Sequence, residues 1–310
     1  MKYLKTYLPL TIIFFTFVFF TGCKKNDAVV NSNTNNLTTP DVSATTDAAY
    51  AVAENVALNS GGALDEVSDV MNIASSTGIQ NDDMTGMMNF GDSHTRVVSR
   101  TYDSTSGWWT ITISRHRGTV NGLYYADYTR VYKHQFLNKN GQFQEFYITN
   151  NDTAYSVKHE IVSGTGVLIT PKLSHNLISL SGARTVTGTN TSTVTFNSTA
   201  PYIRSVVDTM TRNNSIRTLT GTLTLNFINV MGPRGHALNW HRDISGTIDG
   251  TYHAVVTFQK GATYTEKTID KTIHIVFGKP IASHLLGQVA EIDVDGTKFI
   301  VDLETGEVTQ

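Results

Sequence analysis

Residues 218–227 read Thr-Leu-Thr-Gly-Thr-Leu-Thr-Leu-Asn-Phe, and this alternation predicts the fold of most of the chain. Leu219, Leu223, Leu225 and Phe227 share one face of the extended segment, and four threonines share the other. A period of two is typical of an antiparallel strand with one face on the core and one face in water. The stretch therefore predicts a sheet with a single apolar face.

The same alternation recurs in residues 248–258 and 267–277. Several of these runs exceed ten residues, which corresponds to about 33 Å of extended chain. Asn138 to Gly141 and Asp295-Gly296 stand between alternating runs, and Asp-Gly supplies the positive φ angles of a type I′ hairpin turn. We therefore predict a mainly β protein, built as a large antiparallel meander sheet or sandwich.

A short helical segment is predicted before the sheet, between Asp47 and Ser76. Its apolar residues recur at helical spacing, and they include Val52, Val56, Leu64, Val67, Val70, Met71 and Ala74. Gly61 and Gly62 interrupt the pattern, so we expect two short helices. Three acidic residues lie off the apolar stripe: Asp65, Glu66 and Asp69.

The amino terminus has the features of a secretory signal peptide. Lys2 and Lys5 precede a thirteen-residue apolar run that ends at Phe20, and the only cysteine, Cys23, follows the small residue Gly22. The run is shorter than the about 20 residues needed to span a bilayer. The chain therefore divides into a signal peptide (1–22), a disordered tether (23–45), a helical segment with a Gly/Met-rich connector (46–93) and an antiparallel β domain (94–310) that ends in a small hairpin meander.

This arrangement of Gly22 and Cys23 resembles the lipobox of bacterial lipoproteins, in a style similar to those of Bacteroidota. The resemblance implies cleavage before Cys23, acylation of Cys23 by chains such as palmitate, and a membrane partner reached through that lipid. Two or three acyl chains suffice for stable anchoring. Lys24 and Lys25 follow the cysteine, where the inner-membrane retention signal has an aspartate. The resemblance therefore favours the outer membrane, and it leaves open whether the protein faces the periplasm or the cell surface. The alternative is an ordinary cleaved signal peptide.

Composition limits the possible partners and cofactors. The chain has 24 basic and 26 acidic residues and a formal charge of −2, which does not favour nucleic acid. A single cysteine provides no disulfide framework. No cofactor is predicted.

The densest polar cluster, between residues 232 and 243, is the predicted ligand-binding loop. Its candidate ligand-binding residues are Arg234, His236, Trp240 and His241, which offer positive charge, hydrogen bonds and a stacking ring. The alternative is a long connection whose tryptophan covers the edge of the core.

A second aromatic group shares one strand face: Tyr124, Tyr128, Tyr132 and Phe136, together with Arg130 and His134. The opposite face is polar, so we interpret the aromatic face as buried and not as an exposed carbohydrate ladder. The basic run from Arg115 to Arg117 is interpreted as a solvated strand end.

The carboxylates are interpreted as scattered through turns and solvent faces, so the sequence nominates no general acid and base pair. These features predict a non-enzymatic, lipid-anchored cell-envelope protein whose loops bind a glycan or a protein partner. One alternative is an envelope glycan hydrolase, which requires two carboxylates about 5–9.5 Å apart in a cleft. Another is a metal-binding periplasmic lipoprotein that uses Met84, Met87 and Met88 or the histidine pair of the loop.

Overall fold

The computed structural model describes residues 43–74, 79, 93–119, 122–171, 173–212, 214–234, 243–278 and 288–309. Cys23, the tether up to residue 42 and the methionines of the Gly/Met-rich connector lie outside these ranges. The helices are α1 (Ala44–Val56) and α2 (Ala63–Ile73). The strands are β1 Ser93–Asp103, β2 Trp108–Gly118, β3 Tyr125–Leu137, β4 Phe143–Gln144, β5 Ile148–Thr149, β6 Asp152–Thr153, β7 Ser156–Ile169, β8 Ser174–Thr187, β9 Thr193–Arg212, β10 Ser215–Pro233, β11 Ser245–Lys260, β12 Thr263–Phe277, β13 Val289–Val294, β14 Thr297–Asp302 and β15 Val308–Thr309.

Thirteen strands form one antiparallel sheet in the order β1-β2-β3-β7-β8-β9-β10-β11-β12-β13-β14-β15, with β4 paired to β3. The strands β5 and β6 form a separate two-stranded ribbon. Neighbours in the main sheet are neighbours in sequence, apart from the short insertion between β3 and β7. The prediction of a large antiparallel meander is confirmed, and the strands form one continuous sheet.

The sheet curves around the two helices. Helix α1 contacts β12, β13, β14 and β15, whereas Asp65 on α2 pairs with Arg115 on β2. In the sheet order β2 and β14 are nine steps apart, or about 43 Å if the sheet were flat. A helix is only about 10–12 Å wide, so only a strongly curved sheet reaches the helix pair from both sides.

Local irregularities in the central strands accommodate this curvature. The β8–β9 register shifts between Leu177 and Ser179, and the β9–β10 register shifts between Leu225 and Val230. Bulges of this kind bend a strand and increase its twist. The alternation in residues 218–227 is retained, with Leu219, Leu223, Leu225 and Phe227 buried.

The helices begin earlier than predicted, and they break where predicted. Ser43 caps α1 by accepting a hydrogen bond from the Thr46 amide at 3.1 Å, so the helix starts at Ala44, inside the expected tether. Gly61 adopts a φ of 70° between the helices, a conformation that glycine adopts without strain. Among the described residues, neither helix has the length and hydrophobicity needed to cross a membrane.

Two further predictions about the sheet are confirmed. Tyr128, Tyr132 and Phe136 are buried on the inner face of β3, whereas Tyr124 lies before the strand and is 58% exposed. Asp295 and Gly296 have φ angles of 50° and 86° and join β13 to β14, as a type I′ turn requires.

Gly166 provides a test of side-chain packing inside the curved sheet. A Cβ added there would lie 2.2 Å from Tyr128 Cδ1 and 2.5 Å from the Asp127 carbonyl oxygen. We expect Gly166→Ala to lower the free energy of unfolding by about 1–3 kcal/mol, because overpacking displaces the buried ring. Urea unfolding measures the change, with Thr165→Ala on the exposed face as the control. Equal unfolding midpoints for the two variants would contradict this packing.

Candidate functional site

Among the residues whose burial the structure describes, five buried arginines line the inner face of the sheet: Arg115, Arg130, Arg184, Arg204 and Arg217. We call them, with the acidic and histidine side chains that they contact, the arginine network. Arg115 is only 4% exposed, so its interpretation as part of a solvated strand end is wrong. The period of two explains its position, because Arg115 follows the buried Ile111 and Ile113 on the same face of β2.

Two aspartates one turn apart on α2 bind the first arginine pair. The Arg115 guanidinium contacts both Asp65 and Asp69. Arg130 Nη1 lies 3.0 Å from Asp65 Oδ2 and 3.2 Å from Asp69 Oδ2. The Tyr132 hydroxyl donates to Asp69 Oδ2 at 2.7 Å. These contacts join α2 to β2 and β3.

Glu66 is the centre of a second group in the network. It contacts the Arg184 guanidinium, and its Oε1 lies 2.5 Å from His159 Nε2. His159 Nδ1 is in turn 3.0 Å from His134 Nε2. The Arg184 guanidinium carbon sits 3.9 Å from the centre of the Phe227 ring, a cation–π position.

A third group lies under the turn between the helices. His175 Nδ1 lies 2.5 Å from Asp208 Oδ1, and Arg204 Nη2 lies 2.8 Å from His175 Nε2. Arg204 also donates to the Gly61 carbonyl oxygen at 2.5 Å, and Arg130 donates to the same oxygen at 2.6 Å. The interhelical turn is thereby bound to β3 and β9.

Helix α1 contributes the last buried ion pair. Asp47 contacts Arg217 through Oδ2, and Lys267 Nζ lies 2.6 Å from the same oxygen. The interpretation of the carboxylates as scattered over solvent faces is therefore wrong for Asp47, Asp65, Glu66, Asp69 and Asp208, which are all buried. Sequence reasoning missed the network, although one signal was present: arginines at inward positions of alternating strands need buried partners.

The network sets the protonation of Glu66. Burial alone raises the pKa of this carboxyl group, but the Arg184 guanidinium and His159 outweigh burial and lower the pKa from an ordinary 4.5 to about 2. Burial also lowers the pKa of His134 well below its usual value, and His159 adds to the effect. Glu66 is therefore ionised and His134 neutral at neutral pH.

Two cavities open at one end of the sheet, beside this network. The larger cavity has a volume of about 240 Å³. Its lining residues come from the helix turn, four strand ends and the carboxyl-terminal turn: Glu54, Asn59, Ser60, Arg117, Tyr124, Tyr125, Leu168, Thr170, Leu173 and Thr305. It therefore combines two aromatic rings with hydroxyl, amide and charged groups.

The smaller cavity has a volume of about 150 Å³ and shares Glu54 and Leu173 with the larger one. Its lining residues are Asp47, Tyr50, Ala51, Glu54, Leu173, Asp208, Met210, Leu219 and Gly306. Burial raises the pKa of Glu54, and the neighbouring Asp208 carboxylate raises it further. His175 and Arg204 act in the opposite direction without reversing the shift.

Arg234, the one candidate residue of the predicted ligand-binding loop that the structure describes, lines neither cavity. Arg234 follows the end of β10, and Leu219 in the smaller cavity lies near the start of that strand, about 50 Å away along the chain at 3.3 Å per residue. Arg234 Nη1 instead contacts the Tyr147 hydroxyl at 2.5 Å. The other candidates of that loop, His236, Trp240 and His241, lie outside the described residues, as do Gly22 and Cys23.

A metal centre has no support in the described part of the chain, where no three His, Cys, Asp or Glu residues are grouped as metal ligands. The predicted methionine ligands Met84, Met87 and Met88 lie outside that part. Comparison with protein-family models, curated proteins and solved structures finds no match to this chain. Function must therefore be inferred from the residues themselves.

Replacing Glu66 tests the arginine network through its dependence on pH. Because the folded-state pKa of about 2 lies below the ordinary 4.5, the stability that ionised Glu66 contributes is complete above pH 4.5 and is lost as the pH falls towards 2. At pH 7 we expect Glu66→Gln to lower the free energy of unfolding by about 3–5 kcal/mol. At pH 3 the difference from the native protein should shrink by ~2 kcal/mol.

Urea unfolding of both proteins at pH 7 and pH 3 measures this effect. Glu145→Gln, at an exposed carboxylate, is the matched control and should change stability little at either pH. A constant difference between Glu66→Gln and the native protein at both pH values would contradict the depressed pKa.

Proposed function

We propose that this protein is a lipid-anchored cell-envelope protein that binds a glycan in the larger cavity. The observation that carries the proposal is the lining of that cavity, where Tyr124 and Tyr125 stand beside hydrogen-bonding groups at an opening to solvent. A sugar ring has an apolar C–H face and a rim of hydroxyl groups. It therefore needs an aromatic surface together with several donors and acceptors.

The cavity supplies both kinds of contact. The exposed ring of Tyr124 offers a stacking surface, and Asn59, Ser60, Arg117 and Thr170 line the same cavity with polar groups. Its volume of about 240 Å³ is slightly below the about 300–1,000 Å³ of typical ligand pockets. This size suits one sugar ring with the remainder of the chain outside. The glycan site proposed here is this cavity, and Arg234 of the predicted loop does not line it.

The proposal of a lipid anchor is supported by the amino-terminal sequence. An apolar run that ends at Phe20, a small residue at position 22 and the single cysteine at position 23 support cleavage and acylation of Cys23. Lys24 and Lys25 favour an outer-membrane location. A protein held at the envelope in this way would meet glycans at the membrane surface.

A second candidate function, glycan hydrolysis, is favoured by one observation. Glu54 and Asp208 both line the smaller cavity, and the raised pKa of Glu54 is typical of a general acid. Asp208 is oriented by His175 and would serve as the second carboxylate. Release of reducing ends from a bound glycan would establish hydrolysis, and intact glycan after prolonged incubation would exclude it.

The anchor is tested by intact mass. We expect the protein purified from its native membrane to have the mass of residues 23–310 plus two or three acyl chains. Cys23→Ala should lack that increment and partition into the soluble fraction, since only the cysteine thiol accepts the diacylglyceryl group. A native mass that matches an unmodified chain would refute the anchor.

Replacing Tyr124 tests the glycan site. Oligosaccharides of glucose, N-acetylglucosamine and mannose are titrated against the mature domain by calorimetry, and we expect at least one to bind. Tyr124→Ala should weaken that binding about two- to tenfold, because an aromatic contact contributes about 0.5–1.5 kcal/mol. Tyr264→Ala is the matched control, since Tyr264 is 59% exposed on β12 and lines neither cavity. Equal affinities of the two variants, or no binding by the native domain, would contradict the site.

A further inference from the structure

One face of α1 forms a wall of the smaller cavity. Asp47, Tyr50, Ala51 and Glu54 recur at the i, i+3, i+4 and i+7 spacing that places side chains on one side of a helix. The two carboxylates are therefore two turns apart, about 10 Å along the helix axis. The residues between them are a tyrosine and an alanine, so the wall is acidic at its ends and apolar in its middle.

The opposite walls of the cavity are also apolar with a single carboxylate. Leu173, Met210 and Leu219 are apolar, and Asp208 adds a third carboxylate. Apart from the Tyr50 hydroxyl, every polar side chain that lines the cavity is a carboxylate. Ionised carboxylates only accept hydrogen bonds, so a complementary ligand must donate them.

One buried acceptor in this cavity has no donor. Asp47 is 1% exposed and binds Arg217 and Lys267 through Oδ2, whereas its Oδ1 has no hydrogen-bond partner among the described residues. An unsatisfied buried acceptor costs about 1–3 kcal/mol. A donor placed in the cavity would recover that free energy.

The three carboxylates differ in their direct contacts. Asp47 forms ion pairs with Arg217 and Lys267. Asp208 contacts His175, and His175 in turn contacts Arg204. The Glu54 side chain has no hydrogen bond or ion pair within the described part of the chain. A ligand that donates hydrogen bonds would provide Glu54 with a direct partner.

From this geometry we infer that the smaller cavity is a binding site for a primary ammonium group on a short aliphatic chain. The ammonium group donates to Glu54 and to Asp208, and the chain packs between Tyr50, Leu173 and Leu219. A cavity of about 150 Å³ holds a molecule as large as benzene, so a five-carbon chain with its nitrogen fits. This site adjoins the proposed glycan site and shares Glu54 and Leu173 with it, but the inference does not rest on glycan binding.

The test compares n-pentylamine with 1-pentanol and pentanoate, which have the same chain length and differ in charge and donors. Calorimetric titration of the mature domain at pH 7 should give saturable binding of pentylamine at least tenfold tighter than of pentanol, and no binding of pentanoate. Equal affinity for amine and alcohol, or no saturable binding of the amine, would overturn the inference.

Variants locate the site. Glu54→Gln removes the carboxyl group without breaking an ion pair, so it should fold like the native protein and bind pentylamine at least tenfold more weakly. Asp208→Asn should weaken pentylamine binding as well. Asp249→Asn, at a half-exposed carboxylate on the outer face of β11, is the control and should bind like the native protein. Unchanged affinity in a folded Glu54→Gln protein would refute the site.

A last comparison identifies the source of the ammonium group. A blocked lysine, Nα-acetyl-lysine methylamide, presents the same aliphatic ammonium on a peptide. If it binds with the same dependence on Glu54, the occupant is a lysine side chain of a partner protein. If only pentylamine binds in this way, the occupant is a free small amine. Both results support the ammonium site, and an amine that binds regardless of Glu54 excludes it.

Discussion

The pairing of helix carboxylates with sheet arginines is the interaction on which the rest of the structure depends. Two short helices lie inside a curved sheet and are buried on nearly every side, although α2 carries Asp65, Glu66 and Asp69. A buried carboxylate without a partner is very costly, so each one fixes the position of a guanidinium on a particular strand. The register of α2 against β2, β3 and β8 is therefore set by charge as well as by packing.

The same interactions shape the open end of the molecule. Arg130 and Arg204 both donate to the Gly61 carbonyl oxygen, which fixes the interhelical turn below the larger cavity. Because the turn is fixed, Glu54 at the end of α1 borders both cavities. Within the described part of the chain, the Glu54 side chain thus has no hydrogen bond or ion pair although it lies next to a network of paired charges, and that contrast distinguishes the proposed site from the structural ion pairs.

A sheet that encloses its own helices also explains the distribution of polar residues. The outer face of the strands is solvated by threonines and charges, as in Thr220 and Thr251, which are exposed. The inner face is mostly apolar near β11 to β14 and becomes charged near β2 to β10, where the helix carboxylates face it. The two cavities, which we propose as binding sites, therefore lie where the charged part of the core reaches solvent.

The sequence by itself determined the antiparallel sheet, the helix break at Gly61 and Gly62, the burial of the Tyr128 face and the hairpin at Asp295, because periodicity and turn chemistry act between near neighbours. Only the tertiary structure decided that Arg115 is buried, that the acidic residues of α2 face the core, and that Glu54 and Leu173 border two cavities. Those facts depend on contacts between residues about 50 to 120 positions apart, which are formed only when the sheet curves. No local pattern specifies how far a sheet curves, so a site built by that curvature cannot be read from the sequence.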